Sequence, residues 1–382
     1  MEQKQANMFS ATDRAFMERA LHLAQRALWT ARPNPMVGCV IVNQDHIVGE
    51  GFHVRRGGPH AEVFALQQAG ARAHGATAYV TLEPCAHVGL TPACAPQLVQ
   101  AGVARVVAAS LDPFVKVAGH GFELLRTAGI KVEVGLLEHA ARALNCGYFS
   151  RIERKRPWVR VKVAASLDGR SAMADGSSQW ITSAVARQDG HRWRARAGAI
   201  LTGANTVLHD DPSLTVRLPD ADVQPPLRVV LDSRLRCLSR HKVRHGSAPT
   251  LYVHAPDCQP PPQIEQTAEF AAIPLDPHRD GLDLNALLAL LADRGVNELH
   301  VEAGAILNGA FLRQGLADEL LCYVAPVFLG DEARPMLTQL GIDRLEERLQ
   351  WSLHEVCQVG EDVRLILRPR QSASSAQRSH WS

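Results

Sequence analysis

Four residues carry the chemistry in the first quarter of the chain. His60 and Glu62 stand in PHAEVFAL (59–66), and Cys85 and Cys94 in TLEPCAHVGLTPAC (81–94). Imidazole nitrogen and thiolate sulfur are the donors of a tetrahedral zinc shell, and three protein ligands plus an open position make a catalytic rather than a structural site. His60, Cys85 and Cys94 supply three, enough for one zinc per chain. Two thiolates neutralise the ion, so a water on it is less acidified than in an all-imidazole site, and a nearby base is needed. Glu62 is two residues from His60 and meets that need: it can take a proton from the water and deliver it to a ring nitrogen and a leaving amine. The competing reading is a structural zinc with a fourth ligand, for which His87 is the nearby candidate.

These residues need elements to hold them. Apolar spacing predicts a helix over 13–29 with Thr12 or Asp13 as N-cap, strands at 37–43 and 46–53 forming a hairpin, and a helix starting at His60. Strands at 78–83, 105–110 and 131–135 alternate with helices at 93–101, 121–130 and 136–149. His60 and Cys94 thus fall at helix N-termini, which favour thiolate and anion. SRIERKRP (150–157) is polar, basic and closed by a proline, the composition of a linker. The pattern then restarts, with strands expected at 158–169, 199–203, 227–233, 250–254, 298–304, 319–330 and 363–368, and helices at 284–294 and 305–315. Strand–helix alternation predicts α/β layers in both halves. The expected division is 10–150, 151–370 and a polar, disordered tail at 371–382.

Composition sets bounds. The 382 residues are 46% hydrophobic and 21% charged, which argues for two packed domains. Lys and Arg number 41 against 39 Asp and Glu, so neither nucleic acid nor an anionic membrane is expected as partner. The N-terminus has no apolar core of a signal peptide, and a cytoplasmic location is expected. The eight cysteines are scattered, which in a reducing compartment fits metal ligands and buried thiols better than disulfides.

A His-x-Glu followed by Pro-Cys and a second Cys resembles the zinc nucleobase deaminases. Eight residues separate Cys85 from Cys94, where the commonest pattern has two; this departs from the polynucleotide deaminases. RPNPMVGCVI (32–41), PHAEVFAL, ATAYVTLEPCAHVGLTPAC and AGVARVV (101–107) together look like the deaminase half of the bifunctional riboflavin-biosynthesis deaminase/reductase (RibD type) family. Ala86 and Ala93 stand where many members carry Ser and Pro. The resemblance makes Asn34 a substrate-facing residue and implies a cytidine-deaminase-like three-layer α/β/α domain.

The second half has no G-x-G-x-x-G after a strand, so a Rossmann site is not expected. VRVKVAASLDGRSAMADGSSQWITS (159–183), AILTGANTVLHDDPSLTVR (199–217), LRVVLDS (227–233) and VEAGAILNGAFL (301–312) look like the reductase half of the same family, which is similar to dihydrofolate reductase in fold. The resemblance covers roughly residues 13–369. It implies that NADPH gives hydride to C1′ of a ribose, opening it to a ribityl chain. Carried over by position, its cofactor contacts fall on Ala164, Trp180, Thr206, Asp210, Ser233 and Gly304, Ala305, Ile306, Leu307, Asn308, Gly309 and Ala310. Its substrate contacts fall on Ser178, Arg194, Leu214, Arg217 and Glu302. Lys162 is placed to reach the ribose or its phosphate, and Arg194 and Arg217 suit a phosphate dianion. Ser233 and Arg234 suit the 2′-phosphate of NADPH. Family members suggest a homo-oligomer. Two other readings are a tRNA or nucleoside deaminase with a C-terminal binding module, and a zinc-stabilised scaffold without activity.

Overall fold

The computed structural model describes residues 9–370 apart from 116, 241, 266 and 279; the expected disordered tail lies outside the described residues. The chain divides into two compact units, Met1–Lys155 and Arg156–Ser382.

Unit 1 is built on a five-stranded sheet of order β2-β1-β3-β4-β5. The strands are β1 (Gly38–Asn43), β2 (His46–Phe52), β3 (Thr77–Val80), β4 (Arg105–Ala108) and β5 (Lys131–Val134). β1 is antiparallel to both neighbours, while β3, β4 and β5 run parallel. The period-2 alternation of a strand splits β1 between two cores. Cys39 and Ile41 pack with Ala61, Ala65, Leu98, Phe122 and Leu125 on one face. Val40 and Val42 pack with Met17, Ala20 and Leu21 on the other. Helices Ala61–Ala69, Cys94–Gln100 and His120–Thr127 therefore cover one face and Ala11–Gln25 the other, giving three layers.

The first helix starts earlier than its apolar spacing indicates. Ser10 is the N-cap, and Asp13 returns a carboxylate to the Ser10 N–H as the other half of a capping box. The helix expected over 136–149 is two, Glu138–Leu144 and Cys146–Arg154, and the second runs into the expected linker. The break is at Asn145, which is buried and turns its amide onto Met36: Oδ1 accepts from Met36 N and Nδ2 donates to Met36 O, both at 2.8 Å. Asn145→Ala would orphan a buried N–H and a buried C=O. We expect it to cost about 2–3 kcal/mol, read as a lower urea midpoint with unchanged m-value.

Unit 2 carries a nine-stranded sheet of order β11-β10-β9-β8-β12-β6-β13-β16-β15. β6 (Trp158–Ser166), β8 (Ala199–Gly203), β9 (Leu227–Leu231), β10 (Thr250–His254), β11 (Glu269–Ala272), β12 (Glu298–Val301) and β13 (Glu319–Ala325) are parallel. β16 (Asp362–Pro369) and β15 (Trp351–Val359) close one edge as an antiparallel hairpin, and β7 (Arg170–Ala172) and β14 (Arg334–Pro335) form a separate antiparallel pair. Val159, Val161, Leu201 and Val229 pack against the helices Leu284–Asp293 and Ala305–Arg313 on one face. β13 ends at Ala325, before Pro326, rather than running to 330. Helices Ala184–Arg196 and Ala204–Asp210 and strand β15 lie outside the expectations from sequence. Among the described residues no helix is long and apolar enough to cross a membrane.

Candidate metal centre and reductase cleft

The helix Ala61–Ala69 lies directly on β2. A Cβ at Gly49 would stand 2.0 Å from the Ala65 carbonyl oxygen and one at Gly51 2.3 Å from that of Ala61, so only glycine allows this approach. The approach fixes the start of the helix, where His60 is N-cap and Glu62 lies in the first turn. Cys94 begins the helix Cys94–Gln100, and its N–H and that of Ala95 both donate to the Cys85 carbonyl at 3.1 Å. The eight intervening residues thus form a loop whose two ends are tied together.

His60, Cys85 and Cys94 converge, with ligand atoms all within 4.8 Å of one another. His60 Nδ1 is 3.0 Å from Cys94 Sγ and 3.6 Å from Cys85 Sγ, and the two sulfurs are 3.6 Å apart. A tetrahedral zinc has edges of about 3.8 Å between sulfurs and about 3.5 Å between sulfur and nitrogen. The donor set fits zinc in type and within about half an ångström in spacing. His87 is not part of the cluster; its ring packs against Phe114, 6.2 Å away. Three ligands with no fourth among the described residues match a site with an open position.

Glu62 is buried, and its Oε2 has no hydrogen-bond partner. Burial pushes its carboxyl up to about 7, which suits a proton carrier at neutral pH. Cys85 moves the other way: hydrogen bonds from Cys94 and then His60 outweigh burial and hold its thiol below the ordinary range, towards the ligating thiolate.

Several supporting groups were not singled out by sequence reasoning. Thr91 Oγ1 is 3.2 Å from His60 Nε2, so with Nδ1 turned to the sulfurs the Nε2–H donates to the hydroxyl. We expect Thr91→Val to weaken zinc affinity about 10- to 100-fold, measured by chelator competition. His53 is buried edge-on to His60 at 5.3 Å and joins Asn34 Nδ2 (3.0 Å) to the Pro59 carbonyl (3.1 Å). Asn34 is thereby brought toward the centre through His53. Glu83 accepts from the amides of Asp112, Gly119, Gly121 and Phe122 at 2.9–3.3 Å, anchoring the strand exit that leads into Cys85. Each signal was a polar residue inside an otherwise apolar run, which shows a buried partner but not which one.

In unit 2 the candidate residues gather at the carboxyl ends of adjacent parallel strands, where open α/β sheets bind ligands. Lys162 and Ala164 are on β6. Thr206 and Asp210 lie on the helix after β8, Ser233 follows β9, and Glu302 and Gly304 follow β12. Gly304 is the N-cap of Ala305–Arg313 and has no side chain to cap it. A Cβ there would meet only Thr206 Oγ1, at 3.9 Å. Uncapped amides beside an open glycine form an anion cradle, so these residues fit a nucleotide phosphate. Trp180 is 65% exposed and lies under the Arg187 guanidinium at 4.4 Å; Ser178 is in the same segment.

Arg194 is committed within the protein. Its Nε and Nη2 grip both oxygens of Glu302 at 2.6 and 2.7 Å. Burial alone would raise Glu302, but Arg194 and then His300 pull it well below the ordinary carboxylate range. Arg217 is exposed, and Leu214 is buried with φ +48°. Burial lowers Lys162, partly opposed by Glu302.

Comparison with known proteins agrees with both halves. Residues 157–365 match the RibD C-terminal domain, and residues 10–110 match the cytidine and deoxycytidylate deaminase zinc-binding region. The riboflavin biosynthesis protein RibD of Escherichia coli (strain K12) is 46% identical over 366 residues, covering 93% of this chain and 99% of that protein. The Haemophilus influenzae protein of the same name is 43% identical, covering 95% and 99%. Among solved structures, Acinetobacter baumannii RibD superposes with a TM-score of 0.87 at 44% identity, covering 94% and 99%. A diaminohydroxyphosphoribosylaminopyrimidine deaminase/5-amino-6-(5-phosphoribosylamino)uracil reductase from Thermotoga maritima superposes with a TM-score of 0.83 at 32% identity, again covering 94% and 99%.

Proposed function

This chain belongs to the RibD family of riboflavin biosynthesis proteins, and we propose that it carries out both of the family's reactions with the residues assembled above. Unit 1 is the zinc-dependent deaminase and unit 2 the NADPH-dependent reductase. The deaminase hydrolyses the 2-amino group of 2,5-diamino-6-ribosylamino-4(3H)-pyrimidinone 5′-phosphate, and the reductase converts the ribosyl chain of the product to ribityl. The observation that carries the reading is the convergence of His60, Cys85 and Cys94 beside a buried Glu62 with a free oxygen.

His60, Cys85 and Cys94 would hold a zinc ion, which would make the attacking water more acidic. Glu62 takes one proton from the attacking water and passes it to the ring nitrogen beside C2 as the C–O bond forms; it then takes the hydroxyl proton of the tetrahedral carbon and gives it to the amine, so the C–N bond breaks, ammonia leaves and a C2 carbonyl remains. Asn34, held by His53, orients the substrate. Thr91 keeps the His60 ring turned with Nδ1 toward the ligand position.

NADPH would supply hydride to C1′. The amides of Ala305 and Ile306 would hold one of its phosphates, with Thr206, Asp210 and Ser233 as its further contacts. Arg217 holds the substrate phosphate beside the Arg194–Glu302 pair, and Lys162 lies toward the ribose. Homo-oligomeric assembly belongs to the same reading; it is supported by the edge strand β15, whose Leu353 and Val356 are exposed. So does a cytoplasmic location, supported by eight cysteines without a disulfide.

Ammonia and NADPH, followed together in the zinc-loaded chain, test the assignment. One ammonia should be released per NADPH oxidised, with ammonia first. NADPH oxidation preceding ammonia release would contradict the order.

A further inference from the structure

The segment 211–217 joins no sheet. Two side chains of the helix Ala184–Arg196 hold its backbone instead. Arg194 Nη1 donates to the Thr215 carbonyl at 2.9 Å, and the Arg217 amide donates to His191 Nδ1 at 3.2 Å. His191 is 8% exposed. Because Nδ1 accepts an N–H, the ring is neutral and carries its proton on Nε2. Burial, with Arg194 and Arg217 nearby and Glu302 opposing them, holds His191 down at about 4, so it stays an acceptor at working pH.

The clamp sits in an unbalanced field. Among the described residues, Arg194, Arg217 and Lys162 all interact with the carboxylate of Glu302. Among the described residues the Arg217 guanidinium has no carboxylate within salt-bridge reach. Three cations against one anion, with one guanidinium exposed, is a site for a phosphate dianion.

We propose that His191 is a positioning residue of the reductase, fixing the Arg217 backbone so that its guanidinium is preset for the 5′-phosphate of the substrate. This rests on the reductase reading above. Without the imidazole acceptor the Arg217 amide loses its partner, and the segment must be ordered by the substrate itself, which raises KM rather than lowering kcat.

The test uses the zinc-loaded full chain, NADPH and 5-amino-6-(5-phosphoribosylamino)uracil. His191→Leu should raise KM for that substrate about tenfold, with kcat and the KM for NADPH within about twofold. His191→Asn places its amide oxygen where Nδ1 stands and should return KM to within about threefold. If His191→Leu does not fold, His191→Gln, whose oxygen falls beyond that position, takes its place with the same expected rise. An unchanged KM, an equal rise in the Leu and Asn variants, or a matching loss of kcat would each overturn the proposal.

A second readout is independent of turnover. Inorganic phosphate should slow hydrogen exchange in the peptide spanning 214–217 in the wild type and not in His191→Leu. If the wild type fails to reduce the substrate, the reductase reading fails, and this exchange measurement alone decides the clamp. Absence of phosphate protection in the wild type, or equal protection in both, refutes it.

Discussion

Glu62→Gln should lower deamination by about 10²- to 10⁴-fold while zinc content stays unchanged and reduction of the deaminated intermediate continues at the wild-type rate. The amide matches the carboxylate in shape, so the helix that starts at His60 keeps its contact with Gly49 and Gly51. It cannot accept a proton from water at neutral pH, so the hydrolysis loses the carrier assigned to it. The three ligand atoms are untouched, so metal retention is expected. Chelator-calibrated zinc analysis, ammonia release and NADPH oxidation on separately supplied intermediate read the three quantities. A zinc scaffold would show no change in function, and deamination surviving in this variant would refute the role assigned to Glu62.

Arg160→Met should have the largest effect on stability. Arg160 is 1% exposed in the middle of the sheet of unit 2. It bonds Glu298 at 2.9 Å and Glu319 at 2.5 Å, and its guanidinium lies over Trp193 at 4.6 Å. Removing it leaves two buried carboxylates short of charge, although Arg196 still reaches Glu298 and Arg368 still reaches Glu319. We expect a loss of about 3 kcal/mol, or roughly 10 °C in Tm.

The same network sets acid sensitivity. Burial would raise Glu319, but Arg160 and Arg368 hold it down at about 2. A depressed folded pKa contributes stability above the ordinary glutamate value, and that contribution is lost as pH falls from about 4.5 towards 2. The wild type should therefore lose stability steeply across that window, and Arg160→Met should flatten the slope. Denaturant midpoints measured across pH 5 to 3 read the difference (roughly the upper half of the window); parallel curves for the two proteins would contradict the assignment.

The functional strands depend on this network. Arg160 is two residues before Lys162, and Glu298 is four before Glu302. β12 and β13 both pair with β6, so the ionic contacts tie together the strands that present Lys162, Ala164 and Glu302.

What could be read from sequence followed residue chemistry. Imidazole and thiolate at short range pointed to zinc, and alternating apolar runs marked the strands that carry the ligands. The α/β character of both halves came from the same periodicity. What could not be read depends on contacts far apart in the chain. His53 and Thr91 acquire their roles only when loops 53–60 and 86–93 meet over His60. Arg194 and Glu302 are 108 residues apart, so their pairing was invisible and Arg194 looked like an open phosphate ligand.

The misplaced elements have the same cause. The helix Ala184–Arg196 buries Asp189 and His191 rather than an apolar stripe, so helical periodicity does not announce it. β15 is exposed along most of its length and shows no half-buried alternation. The break at Asn145 is imposed by the Met36 backbone, more than a hundred residues away, against a continuous helical pattern.

The most direct test of the central claim is mass spectrometry of the product formed by the zinc-loaded chain in ¹⁸O-water with NADPH deuterated at its hydride position. The product should carry one solvent oxygen in place of the 2-amino group and one deuterium at C1′, the oxygen without the deuterium when NADPH is left out, and neither after zinc removal from the protein. Oxygen exchange that survives zinc removal, or deuterium appearing in a substrate that still carries its amine, would contradict it.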